Sequence, residues 1–238
     1  MATDKVPTLG VLMLDTRFPR WPGDIGCADG LVGRVLYRRV ARAWPRQIVT
    51  DARQLRLSPL VDAFESAAHA LVAEGAQALT TSCGFLVLLQ QRLQAVLPVP
   101  LVSSALLLLP SLLASAPRVG VLTIDAAALG ADHLRAAGVA ASRLGDVIVE
   151  GVDPAGAFAR TILGNRAALD HGAAQREVVA AAIALHARAP ALRQVVLECT
   201  NMPPFASAIE QATGWRLLAL RDHPRLAPFF AARPAPAT

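Results

Sequence analysis

The chain has 238 residues, of which 54% are hydrophobic and 17% charged, and a net charge of +5. This composition is typical of a folded domain with a large core and excludes a disordered chain. The arginines are scattered rather than concentrated on one face with aromatic partners, which argues against a nucleic-acid partner.

Short β-like runs alternate along the chain with longer helix-like runs, the pattern of an α/β fold with a mostly parallel sheet. Strands are predicted at 9–14, 46–50, 76–81, 99–104, 118–124, 146–150, 194–198 and 216–220. Helices are predicted near 59–74, 84–96, 104–115, 126–137, 155–163, 170–188 and 204–213.

The uncharged stretch 99–116 is about as long as a bilayer span. Prolines within and beside it interrupt a spanning helix, and a serine pair separates two apolar runs. We therefore predict a buried strand, a polar break and a buried helix here, and no membrane partner.

A weak internal repeat occurs near the start and near the middle of the chain. GVLMLDT (10–16) and GVLTIDA (120–126) share Gly, Val, Leu and Asp at four of seven positions. Each copy is followed much later by a cysteine at a predicted strand end, Cys83 and Cys199. The repeat predicts two similar α/β halves related by pseudo-two-fold symmetry.

We place the first half at 1–103, completed by 215–238, and the second half at 104–214. Ligands of parallel α/β sheets bind at the carboxyl ends of the strands. The expected active site is therefore the cleft between the halves, with one cysteine contributed by each.

Both cysteines precede a predicted helix. A thiol acts as base or nucleophile only as the thiolate, and a helix N-terminus favours that anion. We therefore expect Cys83 and Cys199 to be activated thiols that face one substrate. The alternative for either residue is a buried, inert cysteine.

The motifs TTSCGF around Cys83 and LECTNMPP around Cys199 resemble those of the cofactor-independent aspartate/glutamate racemase superfamily. This superfamily includes hydantoin racemases, maleate isomerases and arylmalonate decarboxylases, and the resemblance extends over about 8–215. It implies a small anionic substrate and no cofactor. It also implies that one thiolate removes a proton beside a carboxylate, while the other thiol returns one on the opposite face.

The resemblance also suggests which residues bind the substrate. The expected ligands are strand-end hydroxyls, backbone N–H groups and amides, because these stabilise negative charge. Asp15 is a further candidate, as a partner for a substrate ammonium or as a loop cap. The full set is Asp15, Thr81, Ser82, Gly84, Ser104, Thr123, Thr200 and Asn201.

Two positions depart from the family pattern. Asn201 follows Cys-Thr where relatives acting on glutamate or aspartate often carry His or Glu, and an amide cannot exchange a proton. Glu198 replaces a small residue, and strand alternation predicts that its side chain points away from the cleft. If it does approach Cys199, its charge should raise the pKa of that thiol.

We therefore predict an isomerase, namely a racemase or epimerase of an amino acid or related small carboxylate that needs neither metal nor pyridoxal phosphate. The five histidines lack ligand-like spacing, which argues against a metal. Alternatives are a maleate-type isomerase or a decarboxylase in the same cleft, and a non-catalytic sensor of small acids. Three distant cysteines and the lack of a signal-like segment indicate the cytoplasm, and we expect a homodimer.

Overall fold

The computed structural model describes residues 6–231, which form two four-stranded sheets. The first sheet has the order β2-β1-β3-β4 and the second the order β6-β5-β7-β8, and every neighbouring pair is parallel. The strands are β1 (Thr8–Met13), β2 (Arg34–Arg39), β3 (Ala78–Thr81), β4 (Leu101–Val102), β5 (Val119–Thr123), β6 (Val147–Gly151), β7 (Gln194–Leu197) and β8 (Arg216–Leu218).

Helices connect the strands. The α-helices are α1 (Pro45–Ile48), α2 (Ala52–Arg56), α3 (Leu60–Ala73), α4 (Gln90–Val96), α5 (Leu109–Ser115), α6 (Ala131–Ala136), α7 (Ala157–Leu163), α8 (His171–Arg188) and α9 (Ala206–Thr213). Short 3₁₀-helices span Gly84–Leu89, Ala105–Leu108, Ala141–Asp146, Pro203–Phe205, Leu220–Asp222 and Ala227–Phe229. Within 6–231, no helix has the length and apolar character needed to cross a membrane.

The predicted α/β fold with two similar halves is confirmed. The repeated motif forms the second strand of each sheet, β1 in one and β5 in the other. Beyond β3, the backbone N–H of Ser82 donates to the carbonyl of Leu12 at 3.0 Å. Beyond β7, the backbone N–H of Glu198 donates to the carbonyl of Leu122 at 2.9 Å. The two strand ends are thus built alike.

The repeated glycines, Gly10 and Gly120, pack against a neighbouring strand and a helix. A Cβ at position 10 would collide with Leu79 of β3, and one at position 120 would lie 2.8 Å from Cγ2 of Val195 on β7. This close approach brings strand and helix together at the same place in each half. Glycine recurs in the motif because neither position has room for a side chain.

Two short segments differ from the sequence prediction. The predicted strand at 46–50 is mostly helix α1, since Pro45 at its first turn favours a helix and a five-residue apolar run does not discriminate between the two states. RVLYRR at 34–39 forms the edge strand β2, whose arginines reach solvent. The arginines obscure the alternation of apolar and polar residues that predicts a strand. Charged residues of this kind are common on edge strands.

The last described segment contacts both halves. β8 pairs with β7 in the second sheet, whereas Phe230 forms an isolated bridge with Leu31 of the first half. Residues 1–5 and 232–238, the outer ends of the predicted first half, lie outside the described residues. The boundary between the halves stays a prediction.

We expect Gly120→Ala to lower the free energy of unfolding by about 1–3 kcal/mol, because the added methyl group overpacks the contact with Val195. Urea denaturation of the purified variant measures this change. Gly145→Ala is the matched control, since a Cβ there meets nothing within 4 Å. Equal stability of the two variants would contradict the packing role.

Candidate active site

A small pocket lies where the carboxyl ends of β3 and β7 meet. Cys83 and Cys199 follow these strands at the same distance along the chain, and both line the pocket. Most of the remaining lining is apolar. The lining residues are Leu14, Phe18, Pro45, Val49, Ser82, Cys83, Gly84, Phe85, Ile124, Ile162, Glu198, Cys199, Thr200 and Asn201.

A buried hydrogen bond joins the two halves beneath the thiols. The hydroxyl of Thr200 donates to the carbonyl of Ser82 at 2.8 Å. The Ser82 hydroxyl in turn accepts from the backbone N–H of Leu14 at 2.9 Å. All three residues are buried, so these bonds fix the separation of the two strand ends.

A chain of polar contacts runs from Cys199 to the loop after β1. The Cys199 thiol donates to Oδ1 of Asn201 at 3.7 Å, and Nδ2 of Asn201 donates to Oδ2 of Asp24 at 2.5 Å. The other oxygen of Asp24 accepts from Arg20 at 2.7 Å. This chain holds the loop over the pocket.

Asp24 was missed in the sequence, where WPGDIG reads as a turn. It is 2% exposed, and the signal that the sequence offers is an arginine four residues before this aspartate. The guanidinium of Arg20 is bonded to Asp24 and to the hydroxyl of Thr16.

Glu198 lies in the pocket, so the expectation that it points away from the cleft was wrong. It follows the last residue of β7, Leu197, and the alternation of a strand no longer applies there. Its side chain is 1% exposed. Oε2 accepts from the hydroxyl of Thr123 at 2.6 Å, while Oε1 has no hydrogen-bond partner among the described residues.

Both thiols have pKa values above the usual range, contrary to the expectation of activated thiols. Cys199 is buried and Cys83 is half-buried; at both, the loss of surrounding water raises the pKa most and the charge of Glu198 raises it further. Backbone N–H groups do lower it, those of Phe85 and Leu86 at Cys83, but they are outweighed. Both cysteines are therefore thiols at neutral pH.

The other predicted site residues divide into two groups. Ser82, Gly84, Thr200 and Asn201 line the pocket with the cysteines. The hydroxyl of Thr81 donates to the carbonyl of Ser103 at 2.7 Å, and Thr123 contacts Glu198. Ser104 caps a 3₁₀-helix, and Asp15 accepts from the backbone N–H of Arg42 at 3.0 Å. Thr81, Thr123, Ser104 and Asp15 are thus hydrogen-bonded to other groups of the protein. A substrate-binding role for any of the eight residues stays a prediction.

Solved structures of low sequence identity share this architecture. Glutamate racemase from Bacillus anthracis superposes with a TM-score of 0.57 at 16% identity, over 90% of this chain and 77% of that chain. Arylmalonate decarboxylase gives 0.51 at 14%, over 89% and 86%. The chain has the aspartate/glutamate racemase fold. The fold expected from the cysteine motifs is thus confirmed.

Two curated proteins are more similar in sequence. Dimethylsulfoniopropionate lyase from Durusdinium sp. clade D is 29% identical over 218 residues, 88% of this chain and 70% of that protein. Dimethylsulfoniopropionate lyase 5 from Emiliania huxleyi is 29% identical over 217 residues, 87% of this chain and 42% of that protein. No protein-family model matches the chain.

We expect Glu198→Gln to speed alkylation of both pocket thiols by iodoacetamide at pH 8, by at least about threefold. A neutral amide removes the charge that raises both thiol pKa values. Peptide mass spectrometry measures each site, and Cys27 is the internal control because it lies outside the pocket lining. Unchanged rates at Cys83 and Cys199 would show that the carboxylate does not act on them.

Proposed function

We propose that the chain is a cofactor-independent lyase that takes a proton from the carbon beside a carboxylate and expels a leaving group from the next carbon. The observation that carries the proposal is the placement of two thiols, one from each half, in a single pocket. The similarity to two dimethylsulfoniopropionate lyases favours elimination over racemisation. Dimethylsulfoniopropionate is therefore the substrate to test first.

The reaction balances without a cofactor. A cysteine thiolate takes the α-proton and becomes a thiol, and the electron pair of that C–H bond forms the Cα=Cβ bond. The bond from Cβ to sulfur breaks, and its electron pair leaves with dimethyl sulfide. Acrylate remains, and the thiol later loses its proton to water.

The hydrogen bonds favour Cys83 as the base. Its sulfur is approached by the backbone N–H groups of Phe85 and Leu86, which stabilise a thiolate. The sulfur of Cys199 is approached by one backbone N–H, that of Asn201, and its own proton is donated to the side-chain oxygen of Asn201, whose amide is oriented by Asp24. Cys199 is thereby held as a thiol, and one base is enough for an elimination.

Racemisation is the second candidate, because the cysteines occupy equivalent positions in two similar halves. A two-base racemase needs such opposed thiols to exchange roles. It requires Cys83 and Cys199 equally, whereas the elimination depends mainly on Cys83.

We expect the purified protein to convert dimethylsulfoniopropionate to dimethyl sulfide and acrylate, followed by headspace gas chromatography and NMR. Cys83→Ala should reduce the rate at least about 100-fold, the usual range for loss of a general base. Cys27→Ala is the matched control and should retain full activity, since Cys27 lies outside the pocket lining.

Two results would count against the lyase. The first is no product from the wild-type protein while amino acids in D₂O gain α-deuterium with inversion, which would establish the racemase. The second is an equal loss in Cys83→Ala and Cys27→Ala, which would remove the thiol from the mechanism.

A further inference from the structure

Proton abstraction by a cysteine does not require the carboxylate of Glu198. It is 1% exposed, and its Oε1 makes no hydrogen bond to any described residue. This oxygen lies so close to Gly84 that a Cβ there would collide with it. An unpartnered buried carboxylate oxygen costs free energy unless a ligand supplies its partner.

Glu198 also breaks the symmetry of the two halves. Ser82 occupies the equivalent position after β3, with the equivalent backbone hydrogen bond to β1. Both side chains accept a hydrogen bond. The donor to Ser82 is the backbone N–H of Leu14, just after β1, and the donor to Glu198 is the hydroxyl of Thr123, the last residue of β5. One side of the pocket is therefore neutral and the other carries a carboxylate.

No opposite charge in the described pocket balances this carboxylate. Arginine and lysine are absent from the described lining. The nearby Arg20 is paired with Asp24 at 2.7 Å. A substrate with two carboxylates would place one of them near Glu198, at a cost in repulsion that burial increases.

We propose that Glu198 is the counterion for a cationic group of the substrate, so that the pocket selects small carboxylates bearing a sulfonium or quaternary ammonium group. This inference rests on the proposed function, in which the substrate carries a sulfonium cation that leaves as neutral dimethyl sulfide. Phe85 lines the same pocket, as does Phe18, one face of which is covered by the guanidinium of Arg20 at 4.9 Å. Aromatic faces attract methylated onium groups and would share the cation with the carboxylate.

The cation would also assist the thiols. The charge of Glu198 raises the pKa of Cys83, and a bound cation offsets that charge. The thiolate then forms more readily when substrate is bound. The same contact between the cation and Glu198 therefore selects the substrate and activates the base.

Affinity for such a ligand should depend on pH. Burial raises the pKa of Glu198 to about 7, and a cation binds its ionised form, so affinity falls as the pH drops below about 7. The ionisable groups that face it are the two pocket cysteines, which remain thiols in this range, and the Arg20–Asp24 pair beyond them.

The test compares two ligands of the same shape that differ in charge. The probes are the zwitterion 3-(trimethylammonio)propanoate and the carboxylate 4,4-dimethylpentanoate, in which an uncharged tert-butyl group replaces the trimethylammonium group, and calorimetry gives each Kd at pH 8. We expect the wild-type protein to bind the cationic ligand at least about tenfold more tightly. Glu198→Gln should abolish this preference, and Glu198→Asp should retain part of it.

The matched control is Glu150→Gln, which removes the same charge from the chain at a carboxylate paired with Arg188 at 2.8 Å, outside the described pocket lining. It should keep the wild-type preference. Two outcomes would overturn the inference. One is equal affinity of the wild-type protein for the two ligands. The other is a preference that survives in Glu198→Gln.

Failure of the inference is distinguishable from failure of the lyase. Binding is measured without turnover, so a cation preference that depends on Glu198 stands even if no dimethyl sulfide forms. Conversely, formation of dimethyl sulfide without that preference would leave the elimination in place and remove Glu198 from recognition.

Discussion

The hydrogen bond from Thr200 to the carbonyl of Ser82 holds the two halves together at the place where the chemistry is expected. Ser82 directly precedes Cys83 and Thr200 directly follows Cys199, so this contact fixes the two thiols relative to each other. The sheets supply the same geometry twice because β1 and β5 pair with their neighbours in the same order.

Electrostatics in this pocket is governed by burial more than by helix ends. Backbone N–H groups do favour the Cys83 thiolate, as expected for a residue that precedes a helix. Loss of water around the sulfur, together with the carboxylate of Glu198, has the larger opposing effect. The site therefore avoids a permanently reactive thiolate, which would be prone to oxidation and alkylation.

The sequence was most informative where a pattern recurs. The repeated glycine motif and the two cysteines predicted the α/β halves and brought both thiols to one cleft, because strand ends of parallel sheets meet at one edge. Contacts across the fold were not predictable in this way. Asp24 acquires Asn201, 177 residues away, as a partner only after folding, and the orientation of Glu198 depends on where β7 ends.

The contact between Glu198 and Gly84 has a consequence for sequence variation. The carboxylate occupies the space that a side chain at position 84 would need. A relative with a small residue at position 198 has room for a larger residue at position 84, whereas a relative with glutamate at 198 requires glycine at 84. The two positions, 114 residues apart in the chain, are therefore expected to change together as these proteins diverge.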